Sequence, residues 1–306
     1  MKKLLLIVLI FGAGHLFAQD TAAYNLTAQC FLKGELLKSL DMCNDIISKD
    51  PKYTQAYVLR GSIYYDLKMP IDAFQDFNTA LELEPNCYNA LLGKSLYYLN
   101  YEQYDEAAIE LDKAEQADDT SITLFAMRSR LYNGLHQHDK NIRQLSKGLK
   151  LYPNNILLLQ SRSYAYICKH QYDSAMMDAK YTLLLDSNDM TSLTNIGFCY
   201  IKLKQYDKAY RIYKKMNITT EHHPYLMSNY GFSLYKIGKP IEGIQFIYES
   251  LKVLPENSYA HRYLAEISLQ ENDTEQACYH IKKSIDLGYT KDYDNDMADM
   301  QKKYCK

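Results

Sequence analysis

The sequence predicts an all-α solenoid of about eight helical hairpins, and three regularities carry that prediction. Tyr64, Tyr98, Tyr132, Tyr166 and Tyr200 stand 34 residues apart, so one unit is repeated along the chain without insertion or deletion. A small residue lies three places before each of these tyrosines, and another lies nine places after all but one, where Asn141 stands. Pro51, Pro85, Pro153 and Pro255 fall on the same 34-residue grid, where a proline ends one helix and turns the chain into the next unit.

The small places define the hairpin. They run Thr27, Gly61, Ser95, Ser129, Ser163, Gly197, Gly231 and Ala265, then Ser39, Ala73, Ala107, Asn141, Ala175, Ala209, Gly243 and Ala277. Two helices approach closely only where side chains are small, so the two series mark where antiparallel partners cross. Units are expected at 20–53, 54–87, 88–121, 122–155, 156–189, 190–223, 224–257 and 258–290. The remaining grid places hold Asp119, Ser187 and Glu221, of which Asp119 and Ser187 suit turns or caps.

The seventh and twenty-third places of each unit change together. Arg60 matches Asp76, Lys94 matches Glu110 and Arg162 matches Asp178, whereas Leu26 matches Met42, Ile196 matches Ile212 and Tyr230 matches Phe246. Charge meets opposite charge, or apolar meets apolar. These pairs read as marks of register across each hairpin; an arginine row receiving an acidic ligand is the alternative.

On these residues the chain resembles the tetratricopeptide repeat family, in an exported bacterial form. The best copy is Thr54 to Cys87, with Tyr57, Gly61, Tyr64, Ala73, Phe77, Ala80 and Pro85 in place. The resemblance implies a right-handed solenoid whose first helices line a concave face, with places two, five, six, nine, twelve and thirteen of each unit pointing into it. It names no partner, because this scaffold serves many.

Met1 to Ala18 stands apart from the repeats. Lys2 and Lys3, the apolar run Leu4 to Phe11 and the segment ending Leu16-Phe17-Ala18 read as a secretory signal peptide cleaved after Ala18, with an uncleaved anchor as the alternative. The product would then be periplasmic or extracellular. Cleavage takes Lys2 and Lys3 from 35 basic residues standing against 37 acidic ones, an ordinary balance without the basic stripe that nucleic acid would require. No second long apolar run implies a membrane span after cleavage.

Seven cysteines cannot all pair within one chain. Cys30, Cys168, Cys199 and Cys278 fall within expected helices, where buried thiols pack as small apolar groups. A terminal helix folding back on the last hairpin could join Cys278 to Cys305. Residues 291–306 supply such a helix: Met297, Met300 and Tyr304 recur at helical spacing among charged residues, as a cap for the end of a solenoid needs. One irregularity breaks the array at Asn217 to Pro224, where bulky Met216 replaces the small residue of several other units.

The candidate site lies on the groove places of the fifth to eighth units. In the fifth to seventh units the ninth place holds Tyr164, Phe198 and Phe232, and the sixth place holds Ser161, Asn195 and Asn229. Tyr225, Tyr235, Tyr259, Arg262 and Tyr263 extend that surface toward the carboxyl end. Aromatic faces offer apolar area at low entropic cost, and amides can pair with the backbone of an extended peptide, so the set suits peptide capture. The alternative is that the aromatics pack against neighbouring first helices. A clamp for a terminal carboxylate would place lysines at the fifth places, which hold Thr194 and Ser228. The amino-terminal half offers Val58, Leu59, Tyr65, Leu92, Leu96 and Leu99, an apolar strip that could receive a partner helix or another copy, or be closed by tight curvature.

No nucleophile elbow, phosphate loop, His-Glu-x-x-His or Cys-x-x-Cys is present, so no enzyme, metal or cofactor is expected. The expected function is an exported scaffold that binds a protein or peptide and helps assemble a cell-envelope complex. A glycan-binding envelope protein and a self-assembling structural subunit are the alternatives.

Overall fold

The structure, a computed structural model, describes residues 18–219, 223–289 and 296–305. The expected leader therefore lies outside the described residues except at Ala18, as do residues 220–222, residue 290 of the expected eighth unit, and residues 291–295 and 306 of the expected tail. The described residues form 17 helices and no strand, the architecture of a helical repeat solenoid. None of these helices is long and apolar enough to cross a membrane.

Two compact parts meet in sequence between Gln137 and His138. The first holds α1 (Ala18–Leu32), α2 (Leu36–Lys49), α3 (Thr54–Asp66), α4 (Pro70–Leu83), α5 (Tyr88–Asn100), α6 (Tyr104–Ala117) and α7 (Ile122–Gly134). The second holds α8 (His138–Leu151), α9 (Ile156–Cys168), α10 (Tyr172–Leu185), α11 (Met190–Lys202), α12 (Tyr206–Lys215), α13 (Pro224–Lys236), α14 (Pro240–Val253), α15 (Ser258–Gln270), α16 (Thr274–Asp286) and α17 (Asp296–Tyr304). Pro70, Pro224 and Pro240 each open a helix, where the missing N–H would have had no partner.

The tight turn inside each hairpin has one backbone solution. Gly34, Lys68, Glu102, His136, His170, Lys204, Gly238 and Asn272 all adopt positive φ, between 54° and 85°. The next residue then donates its N–H to a carbonyl five residues back: Met69 to Tyr64 at 2.9 Å, Gln103 to Tyr98 at 2.9 Å, Gln171 to Tyr166 at 2.9 Å and Gln205 to Tyr200 at 2.8 Å. This closes the end of the first helix and reverses the chain. The repeating tyrosines thus mark the helix end by their backbone as well as by their rings.

The crossings fall on the small series. Ser39 Oγ donates to the Thr27 carbonyl at 3.2 Å, and Ser163 Oγ donates to the Ala175 carbonyl at 2.9 Å. Backbone meets backbone between α13 and α14, where a Cβ on Gly231 would lie 2.5 Å from the Gly243 carbonyl oxygen and one on Gly243 would lie 2.5 Å from that of Gly231.

The register pairs form, with one addition. Arg60 grips Asp76 through two nitrogens at 2.8 and 2.7 Å, Arg162 grips Asp178 at 2.8 Å on both, and Lys94 reaches Glu110 at 3.2 Å. Tyr230 and Phe246 meet edge to face at 5.0 Å, and Ile212 packs on the cluster containing Ile196. Leu26, by contrast, is exposed. The same arginines also reach back 16 residues, Arg60 to Asn44 and Arg162 to Ser146. That reach explains Arg128, which is buried and bonds Asp112 at 2.6 Å and Glu115 at 2.7 Å on the preceding hairpin.

In the second part, α12 stops after 10 residues, and Asn217 turns with φ 50° beyond Met216. At the carboxyl end, Met297 of α17 is fully buried with Ala265, Ile281 and Tyr289. Cys278 and Cys305 form a disulfide that ties α17 to α16, while Cys30, Cys43, Cys87, Cys168 and Cys199 are buried and outside any disulfide.

Candidate functional site

Within the second part, the first helices α9, α11, α13 and α15 present their groove places to one side. A cleft of about 340 Å³ opens there. Tyr164, Asn195, Phe198, Tyr225, Asn229 and Tyr259 line it, together with Ile167, Thr194, Ser258 and Leu287. Six of the eleven residues expected from the sequence are thus brought together.

The walls are aromatic and mutually braced. Tyr259 meets Phe198 edge to face at 5.7 Å, Tyr225 at 5.5 Å and Tyr289 at 5.3 Å. Tyr225 and Tyr164 keep exposed or half-buried faces toward the opening, while Phe198 forms a buried wall. No lining residue is charged. A neutral, largely apolar group is what this lining desolvates at least cost.

Two expected residues are packing residues in the structure. Phe232 is 1% exposed, stacked on Tyr263 at 4.2 Å and edge-on to Tyr206 at 5.9 Å. Tyr263 is itself buried, and its hydroxyl donates to Asn229 Oδ1 at 2.6 Å. The Asn229 carboxamide oxygen is thereby spent inside the protein, and Asn195 donates to Ser163 Oγ at 3.2 Å. The aromatic row does not persist as one open surface, because the ninth-place ring of the seventh unit is covered by the sixth-place ring of the eighth. Burial raises the Tyr263 pKa well above the ordinary phenol value, so the hydroxyl stays a donor.

Arg262 is committed elsewhere too. It pairs with Asp296 of α17 at 3.0 Å and Glu266 at 3.3 Å, and Lys236 reaches Glu266 at 2.7 Å. Burial would lower the Arg262 pKa, but Tyr289, Asp296, Glu266 and Tyr263 outweigh it and raise the value. Ser161 and Tyr235 are half-buried and line neither this cleft nor the cavity of about 770 Å³ beside Arg262 and Phe232.

Tyr289 is the residue that sequence reasoning missed. Gly288, with φ 84°, lets the chain reverse after α16 and drop Tyr289 onto the groove side of the first helices. There it is 1% exposed, packs on Tyr259 and accepts from Lys202 Nζ at 3.3 Å. The chain's own tail fills part of the surface, and the cleft is what stays open beside it. The usable signal was a glycine directly after a helix, followed by an aromatic.

In the first part the expected apolar strip is closed. Val58, Leu59, Leu92 and Leu99 are buried in the core, Leu96 is half-buried and Asn100 Nδ2 bonds the Tyr65 hydroxyl.

A family model described as tetratricopeptide repeat matches residues 54–87 and 191–216. The chain carries tetratricopeptide repeats. Among solved structures, a tetratricopeptide repeat protein from Parabacteroides merdae superposes with a TM-score of 0.66 at 18% identity, over 81% of this chain and 97% of that one. Pseudomonas aeruginosa pilF matches with a TM-score of 0.59 at 15% identity, over 72% of this chain and 99% of that one. The Cut9-Hcn1 hetero-tetramer of the APC/C gives 0.65 at 14% identity, over 92% of this chain and 55% of that one, so this chain spans about half of its length. At these identities the likeness is one of fold. The tetratricopeptide repeat fold is a scaffold for protein interaction, generally without catalysis.

Proposed function

We propose that this tetratricopeptide repeat protein is an exported, non-catalytic scaffold that seats an extended segment of a partner protein in the carboxyl-half cleft and so helps assemble a cell-envelope complex. The observation that carries the reading is the convergence of Tyr164, Asn195, Phe198, Tyr225, Asn229 and Tyr259 on one uncharged cleft of about 340 Å³. That volume suits one or two apolar side chains of a bound segment, and the braced rings lose little entropy on binding. The amides already bonded to Ser163 and Tyr263 favour an apolar anchor over a sugar, which would need those amides free. The leader pattern of Met1 to Ala18 and the Cys278–Cys305 bridge, which suits an oxidising compartment, both support export.

The test is a crosslinking pull-down from the envelope fraction with wild type beside Tyr164→Ser with Tyr225→Ser, and Tyr235→Ser as the control outside the cleft. The expected result is a partner recovered with wild type and the control and lost with the double variant. Equal recovery in all three contradicts the reading. Sequencing the amino terminus of the secreted form checks export: a chain beginning at Gln19 is expected, and retention of Met1 in the cytosol contradicts it.

A further inference from the structure

A second depression lies on the opposite side of α9 from Ser161 and Tyr164. Helices α8 and α10 enclose about 780 Å³ there, over a floor made by Leu149, Leu159 and the stem of Arg162. On α10, Met177, Tyr181 and Leu184 stand at i, i+4 and i+7 along one face and are 71%, 40% and 81% exposed. Second helices of a repeat turn this face to water, and elsewhere on α10 it carries polar residues such as Asp173 and Lys180. Large apolar side chains gathered around a groove mark an interaction surface more often than chance exposure does.

The charges around it define the partner. Arg162 and Asp178 neutralise each other at 2.8 Å. Lys150 on α8 and Lys180 on α10, both exposed, line the groove and make no ion pair among the described residues. Tyr181 is anchored by donating its hydroxyl to Asn154 at 2.6 Å, which fixes one wall. An apolar floor between two unpaired cations, one on each flanking helix, is complementary to an apolar stripe edged by carboxylates. We infer that this groove docks a helix of a partner protein that carries such an acidic-edged apolar stripe, at a site independent of the first-helix cleft.

The probes are two designed peptides of about 16 residues, with identical leucine stripes and either glutamates or lysines along both edges, read by fluorescence anisotropy and by hydrogen exchange of the mature protein. The glutamate peptide is expected to bind at least about 10-fold more tightly than the lysine peptide and to protect α8 and α10. Met177→Ser with Leu184→Ser, at exposed positions that leave the fold intact, should weaken it about 10-fold or more. Lys150→Glu with Lys180→Glu should invert the preference between the peptides, which a merely structural defect would not do. Equal affinity for both peptides overturns the inference, as does protection confined to α11, α13 and α15. So does loss of binding to phosphatidylglycerol vesicles in the serine variant, which would make the patch a membrane contact, or a dimer in sedimentation that the serine variant abolishes, which would make it a self-contact.

Discussion

Single residues decide how this scaffold responds to pH. His261 and His280 are both buried, with their Nδ1 atoms 2.9 Å apart, so one ring must donate and the other accept. Burial and then the neighbouring His261 push the His280 pKa down from the ordinary 6.5 to about 4, and burial lowers His261 as well, with the Lys283 charge adding to it and the Pro255 carbonyl opposing it. Between those values the unfolded chain takes up protons that the folded chain refuses. Stability is therefore full above about pH 6.5 and falls as the pH drops toward 4. Thermal unfolding across this range is expected to lose several degrees, and His280→Asn should flatten that decline; a decline of the same size in the variant contradicts the assignment. Burial of this kind was beyond the sequence, where His261 and His280 are 19 residues apart with no marking motif. The same limit applies to Phe232 and Tyr263, which the sequence places toward the groove but whose rings bury each other.

At the scale of the element, the hairpin turn and the crossing carry the strongest constraints. Six of the eight residues at the turn's left-handed place have side chains, among them Lys68 and Lys204, and each pays a steric cost that glycine avoids. Lys204→Gly is expected to raise stability by about 0.5–1 kcal/mol and Gly238→Ala to lower it by about 1 kcal/mol, measured by urea unfolding. A Cβ at Gly238 meets nothing within 4 Å, so its cost comes from the backbone alone. At the crossing the cost is steric: Gly231→Ala places a methyl 2.5 Å from a backbone oxygen and should cost about 2–3 kcal/mol or more. An unchanged urea midpoint in that variant would contradict the close approach. Hairpins, crossings and register pairs were legible because they recur every 34 residues, which lets a weak preference be read eight times over. The left-handed place was not, because only Gly34 and Gly238 hold the residue that announces it.

For the whole molecule, the carboxyl end matters more than its length suggests. The tail returns onto the last hairpin through Tyr289, Met297, the Arg262–Asp296 pair and the Cys278–Cys305 bridge, 27 residues apart in sequence. Closing a loop of that size stabilises by roughly 3.5 kcal/mol in the chain-entropy account, so Cys278→Ser with Cys305→Ser should lower the thermal midpoint by several degrees, and no shift would show that the bridge contributes nothing. The tail's place was only partly legible: its amphipathic spacing gave the cap, but Tyr289, at the grid place that Pro255 holds one unit earlier, carried no sign that it would turn back onto the groove side. What the tail leaves open is the cleft on which the functional account rests. The most direct measurement replaces Tyr225 with a photoreactive benzoylphenylalanine in the cell, with Tyr248 on α14 as an exposed control, and follows adducts after irradiation. The account predicts a discrete protein adduct from position 225 and none from 248; adducts from 248 alone, or none at 225, would contradict it.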